Sequence, residues 1–283
     1  MEMIWMPEIP VGRAIEYVID LFSEHCSFLT RAFSDLVESG IMLIVNGLMF
    51  FPPWVLILAF TAITWFLSRK RGLALFTLIG LLLIWNMNLW SPTVSTLALV
   101  LISTLIAMMI GLPLGILSAL NQYAYRTIMP VLDVMQTMPA FVYLIPAIPF
   151  FGLGPVGAIF STVIFSMPPA IRLTCLGIRQ VPTELVEAAD AFGSTRWQKL
   201  FKLQLPMATP TIMAGINQTI MLALSMVVIA AMIGAKGLGG EVWKAIQRLE
   251  PARGFEAGIA IVIVAMILDR IMQRIGKQND KPV

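Results

Sequence analysis

Val181-Pro182-Thr183-Glu184-Leu185-Val186-Glu187-Ala188-Ala189-Asp190-Ala191-Phe192-Gly193, followed by Ser194-Thr195-Arg196-Trp197-Gln198-Lys199-Leu200-Phe201-Lys202-Leu203-Gln204-Leu205-Pro206, forms most of the polar stretch 175–208. Its local chemistry predicts two short helices. Pro182 and Thr183 mark a helix start. Glu184, Glu187 and Asp190 put negative charge in the first turns, where the positive end of the helix dipole favours it. Gly193 suits the left-handed residue that ends a helix. Ser194 or Thr195 can cap a second helix, and Gln198 stands three residues after Thr195, the capping-box spacing. Leu205-Pro206 predicts the end of that second helix, because proline disfavours helix at the residue before it. Ala188 and Ala189 leave one surface flat enough for close approach by another backbone, and the charged neighbours can pair with it. Such a helix–turn–helix can act as a rigid knob that passes a partner's movement to the segments on either side.

Those flanking segments are apolar. The chain has 283 residues, 58% hydrophobic and only 12% charged. Soluble domains carry about 25% charge, so the deficit points to a lipid-facing surface and an all-α membrane protein. A crossing needs about 20 mainly apolar residues. Candidate spans are 52–68, 72–90, 93–120, 128–151, 155–174, 209–233 and 256–275, which predicts about seven transmembrane helices. Pro130, Pro139, Pro146 and Pro149 interrupt the fourth. Broken helices persist at membrane depth where protein or a cavity covers the freed backbone groups, so this segment is a candidate pathway lining.

Orientation follows from Lys and Arg. An external N-terminus and a cytoplasmic C-terminus place roughly two thirds of the 19 Lys and Arg residues inside, as the positive-inside rule asks. The 175–208 loop is then cytoplasmic. Upstream, Ile15, Ile19, Phe22, Cys26, Leu29, Phe33 and Leu36 recur at helical spacing among acidic residues. They predict an amphipathic helix over 13–38 on the outer surface or against the other helices. No basic region followed by an apolar run and cleavage site opens the chain, so no cleavable signal is expected. Gly237, Gly239 and Gly240 predict a turn, and Glu241 to Ile246 a short outer helix. The resulting division is an external segment 1–50, two helices over 51–92, a core over 93–275 and a tail over 276–283.

Glu187-Ala188-Ala189, three residues, Gly193, nine residues, then Leu203-x-Leu205-Pro206 resembles the EAA signature of bacterial ABC importer permeases. Leu203 in place of isoleucine is the one departure. Residues 136–146, from Gln136-Thr137-Met138-Pro139 to Pro146, resemble the fourth-span stretch of glycine betaine/proline betaine permeases. So do residues 217–239, from Asn217-Gln218 to Gly237-Leu238-Gly239. The resemblance is carried by 90–275; residues 1–60 diverge more.

The resemblance implies the type I ABC importer permease fold in a bacterial plasma (inner) membrane. Its cargo would be a quaternary ammonium solute: glycine betaine, proline betaine, carnitine or choline. It also implies that Glu184, Glu187, Ala188, Ala189, Asp190, Gly193, Leu203, Leu205 and Pro206 dock on a cytoplasmic ATPase. A separate external or periplasmic binding protein would deliver solute to a permease homodimer surrounded by membrane lipid. The chain has no GxxxxGK[ST] phosphate loop, so ATP and Mg would be bound by the ATPase, with no cofactor in this chain and no enzyme activity of its own.

Polar groups within spans are costly and often functional. Gln136, Asn217, Gln218 and Ser225 are candidate pathway residues, although Gln136 and Asn217 could equally bond between helices. Phe141 and Tyr143 could hold a quaternary ammonium by cation–π contact, or simply pack. Asp133 lies near the inner end of its span.

Other classes fit less well. The net charge of +3 is spread between apolar runs, and no nucleic-acid motif accompanies it. Two cysteines, Cys26 and Cys175, and one His, His25, offer no recognisable metal set. An ion-coupled transporter would need carboxylates in mid-span, and Asp133 and Asp269 lie near ends. A membrane enzyme needs a nucleophile–base pair or a metal. A permease for methionine, a sulfonate or another small solute would share the loop, so only the 136–146 and 217–239 stretches bear on cargo.

Overall fold

The computed structural model describes residues 12, 13, 17 and 27–278, and among these every regular element is helical. Helix α1 is Ser27–Met49, α2 Pro53–Ser68, α3 Arg71–Asn86, α4 Trp90–Leu120 and α5 Gln122–Thr137. A 3-10 turn, Ala140–Tyr143, leads into α6, Leu144–Phe151. Then come α7 Pro155–Arg179, α8 Thr183–Ala191, α9 Arg196–Lys199, α10 Leu205–Ala230, α11 Leu238–Arg248 and α12 Pro251–Gln278.

By length and apolarity, four stretches can cross a membrane: Thr30–Met49, Trp90–Leu120, Pro155–Arg179 and Arg196–Ile233. The α5–α6 pair, bent by 111°, makes a fifth if counted as one broken span. The expected count of seven is therefore not reproduced. Helices α2 and α3 have 16 residues each, about 24 Å of helix against a hydrocarbon core of about 30 Å. The predicted span 256–275 lies within the single helix α12, which carries Glu256, Asp269, Arg270 and Arg274. Residues 14–16 and 18–26 of the predicted amphipathic helix, His25 and Cys26 among them, lie outside the described residues. Residues 27–38 belong to α1, which continues to Met49.

Helix α7 is the centre of the packing, wedged between α4 and α10. Without an aqueous driving force between helices, close association depends on small residues that let backbones meet. Here they lie in register. A methyl on Gly111 would stand 2.9 Å from Ala170 Cβ, and one on Gly115 2.6 Å from Thr174 Cβ and 2.8 Å from the Ile171 carbonyl oxygen. On the other flank, a methyl on Gly215 of α10 would come within 3.1 Å of Leu173 Cβ and 3.3 Å of the Pro169 oxygen. Hydroxyls inside α7 return their hydrogen bonds to the preceding turn, as Thr162 does to the Ala158 oxygen at 2.7 Å and Ser166 to Thr162 at 2.7 Å.

At the opposite end from the 175–208 loop, α10 closes with a 3-10 turn, Ala231–Ile233, and the chain reverses through Gly234 and Gly237, both at positive φ. The buried Leu238 amide donates to Thr96 Oγ1 at 2.8 Å, pinning the start of α11 to α4. The predicted glycine turn and short helix are both present.

Candidate functional site

Helix α8 begins after Pro182 and has no buried residue. It ends in a pair of crossed hydrogen bonds: the Ser194 amide donates to the Ala189 oxygen at 3.0 Å and the Gly193 amide to the Asp190 oxygen at 2.9 Å. That pattern needs a left-handed residue at its centre, and Gly193 supplies it at φ +74°. The chain re-enters helix through a reciprocal cap. Gln198 donates its amide N–H to Thr195 Oγ1 at 3.3 Å, and its side-chain oxygen accepts from the Thr195 amide at 2.8 Å. Lys199 closes the elbow by donating to Asp190 at 2.6 Å. The two short helices are therefore held at a fixed angle by local bonds alone.

The helix does not stop at Leu205-Pro206. Residues Leu200–Gln204 form a π turn, in which the Leu205 amide donates to the Leu200 oxygen five residues back. An α-helix would set the Pro206 ring against the carbonyl four residues earlier. The wider turn relieves that clash, and Arg196–Ile233 runs as one helical stretch of 38 residues. Leu200, 1% exposed, packs with Ile178 and Ala208 and roots the loop in the bundle. Leu203 and Leu205 are half-buried at this root, whereas Glu184, Glu187, Ala188 and Pro206 are exposed.

An apolar surface on this loop was not anticipated. Phe192 is 90% exposed, and the Trp197 and Phe201 rings stack at 5.8 Å while both remain exposed. Three aromatic side chains within ten residues of an otherwise polar loop were the available sign. Uncovered apolar side chains of this kind mark surfaces that meet protein or membrane.

The candidate pathway residues separate into two groups. Gln136, Phe141, Gln218 and Ser225 are exposed, and Ser225 donates to the Met221 oxygen at 3.0 Å. Tyr143 is buried in the main core. Its hydroxyl donates to the Met135 carbonyl, and its ring meets Phe165 edge-on at 5.7 Å. It braces the bend between α5 and α6 and has no open face for a cation. Asn217 is half-buried, and its amide donates to Asp269 of α12 at 2.8 Å, while Gln273 donates to both Asp269 oxygens at 2.9 and 2.8 Å. Of its two sequence readings, the interhelical one fits this geometry.

Two arginines of α7 grip the neighbouring hairpin. Arg172 pairs with Asp133 of α5 at 2.6 Å. Arg179 donates to the Ser118 carbonyl at 3.0 Å and to Gln122 at 3.1 Å, and lies 3.9 Å over the Tyr125 ring. Both bridges lie between the loop and the bent α5–α6 segment. Neither was legible, since their partners are 39 to 61 residues apart in sequence. Among the described residues, no three His, Cys, Asp or Glu side chains gather as metal ligands.

This geometry has counterparts. Residues 111–281 match the family described as binding-protein-dependent transport system inner membrane component. The chain is 53% identical over 274 residues, 95% of each partner, to the glycine betaine transport system permease protein OpuAB of Bacillus subtilis. It is 52% identical over 280 residues to the glycine betaine/carnitine transport permease protein GbuB of Listeria monocytogenes, covering 96% of this chain and 98% of the relative. Among solved structures, the inward-facing MetNI methionine ABC transporter superposes with a TM-score of 0.62 at 24% identity, over 66% of this chain and 94% of that one. At that identity the likeness speaks to fold, which is that of an ABC importer permease. Sequence and fold together show that the chain belongs to the family of binding-protein-dependent transport system inner membrane components.

Proposed function

We propose that this chain is the permease subunit of an ATP-driven importer for glycine betaine, proline betaine or a related quaternary ammonium solute such as carnitine or choline. The observation that carries the mechanism is the exposed helix–glycine–helix loop whose second arm continues unbroken into α10. The full-length similarity to relatives named for glycine betaine carries the cargo.

In this reading the loop is cytoplasmic, the N-terminus external and the C-terminus internal. Glu184, Glu187, Ala188, Ala189, Asp190 and Gly193, with the aromatic patch of Phe192, Trp197 and Phe201, dock on a separate ATPase that binds ATP and Mg. Leu203, Leu205 and Pro206 join the docked arm to the bundle. A separate external protein delivers the solute, and two copies of the chain enclose the pathway. Of the candidate lining residues, the exposed Gln136, Phe141, Gln218 and Ser225 face it; Tyr143 and Asn217 hold the helices that carry them. ATP binding draws the docked loops together and shifts the bundle between inward- and outward-open arrangements, and hydrolysis resets it. A ligand shifts such an equilibrium only through its differential affinity for the two arrangements.

The test is uptake of radiolabelled glycine betaine by a transporter-deficient bacterium that expresses the chain with its ATPase and binding protein. Accumulation that requires ATP and is competed by unlabelled proline betaine or carnitine is the expected result. ATP-dependent uptake of a different solute, with none of betaine, would discard the cargo and keep the importer.

A further inference from the structure

At the end of the bundle where α2 meets α3 and α12 finishes, a cavity of about 500 Å3 is lined by Lys70, Leu73, Phe76, Met266, Arg270 and Arg274, with Gln273 beside them. Three features set it apart. First, its cations are unspent: among the described residues, the ion pairs use Arg172, Lys199 and Lys244, none of them here. The neighbouring Arg69, by contrast, is occupied over the Phe66 ring at 5.2 Å. Second, Arg270 and Arg274 are four residues apart on one face of α12, an arrangement in which like charges repel. An anion between them and Lys70 would relieve that repulsion. Third, the wall changes character with depth. Along their helices, Leu73 lies about one turn and Phe76 nearly two turns inward of Lys70, and Met266 lies about one turn inward of Arg270 and two of Arg274. Alongside and beyond them, α3 exposes Leu75 (57%) and Ile79 (56%), side chains suited to hydrocarbon.

A charged mouth over an apolar floor, at the ends of apolar helices, has the chemistry of an anionic amphiphile. We infer that this cavity holds the phosphate head group of an anionic phospholipid, with Lys70, Arg270 and Arg274 on the phosphate and the acyl chains leaving along Leu73, Phe76 and Met266. Basic pockets between helices at a cytoplasmic membrane boundary bind such head groups. An acidic segment of a partner protein would satisfy the three charges but would gain nothing from the apolar floor. Free phosphate would use the charges and leave the floor bare. The inference requires that the chain span a membrane; it is independent of the cargo.

The assay is native mass spectrometry of the detergent-purified transporter, chain and ATPase together, titrated with phosphatidylglycerol, phosphatidylcholine or inorganic phosphate. The first phosphatidylglycerol is expected to be retained about tenfold more tightly than phosphatidylcholine, and combined Lys70→Gln, Arg270→Gln and Arg274→Gln substitution should remove that preference. Excess inorganic phosphate should not displace the lipid. Undiminished preference in the triple variant overturns the site, as does displacement by phosphate. Loss of the ATPase with lipid retention intact would assign the cavity to a protein partner and equally overturn it. If the triple variant does not fold, Arg274→Gln alone serves: it should weaken the preference several-fold, and an unchanged preference counts against the proposal.

Discussion

Replacing Gly193 tests whether the loop works through its shape. At φ +74° an L-residue with a Cβ costs about 1–2 kcal/mol more than glycine. Nothing stands within 4 Å of where that Cβ would lie, so no clash inside the chain adds to it. Asparagine tolerates this conformation well. Aspartate places a negative charge at the C-terminal end of α8, which costs a further ~0.3–1 kcal/mol. Every variant therefore loses about 1–3 kcal/mol at most, in an exposed element, against a global stability of about 5–15 kcal/mol. All should fold and reach the membrane. If the docked loop needs the left-handed turn, Gly193→Ala should weaken ATPase association about tenfold, since 1.4 kcal/mol is a factor of ten. Gly193→Asn should stay close to wild type, and Gly193→Asp, whose charge the docked ATPase would have to bury unpaired, should lose uptake entirely while remaining in the membrane fraction. The measurements are ATPase co-purification and betaine uptake at matched expression. Normal uptake by Gly193→Asp would refute the role given to this loop. Equal failure of Asn and Asp would refute the backbone argument and leave close contact with the ATPase as the reason for glycine.

Gly115→Val should force α4 from α7, because its first carbon alone would stand 2.6 Å from Thr174 Cβ; overpacking of this kind costs about 1–3 kcal/mol and should appear as a lower thermal midpoint in detergent. Thr96→Val leaves the buried Leu238 amide without its acceptor, a loss of about 1–3 kcal/mol that proteolysis near residues 234–240 should register. Asp190→Asn removes the charge from the 2.6 Å ion pair with Lys199, but Asp190 is 54% exposed; exposed pairs contribute about 0–1 kcal/mol, so the thermal midpoint should barely move, and a large drop would show that the charge holds the elbow.

What the sequence disclosed was mainly local. The left-handed Gly193 and the Thr195–Gln198 cap depend on residues within a few positions of each other, and both are present as read. The end placed at Leu205-Pro206 was misjudged because a π turn removes the proline clash, and single-residue propensities carry no sign of that. The bend in 128–151 was legible from its prolines, though its angle was not. Tyr143 reads as a free aromatic until the fold buries it against Phe165. Asn217 meets Asp269 across 52 residues, and only the packing of α10 on α12 reveals the pair. Helices α2 and α3 count as spans by apolarity, yet their 16 residues are fixed by turns at Ser68–Arg71 and Asn86–Trp90 that hydropathy does not locate.

The continuity of Arg196–Ile233 has a mechanical corollary. Its 38 residues measure about 57 Å along the axis. Gly215, where α10 presses directly on the backbone of α7, lies close to the midpoint. A stiff beam resting on a central fulcrum reverses motion without scaling it. A sideways push at Trp197 would arrive near Ile233 at about the same amplitude and in the opposite sense. Closing one end of the bundle would then open the other, and the bare backbone at Gly215 would serve as the bearing.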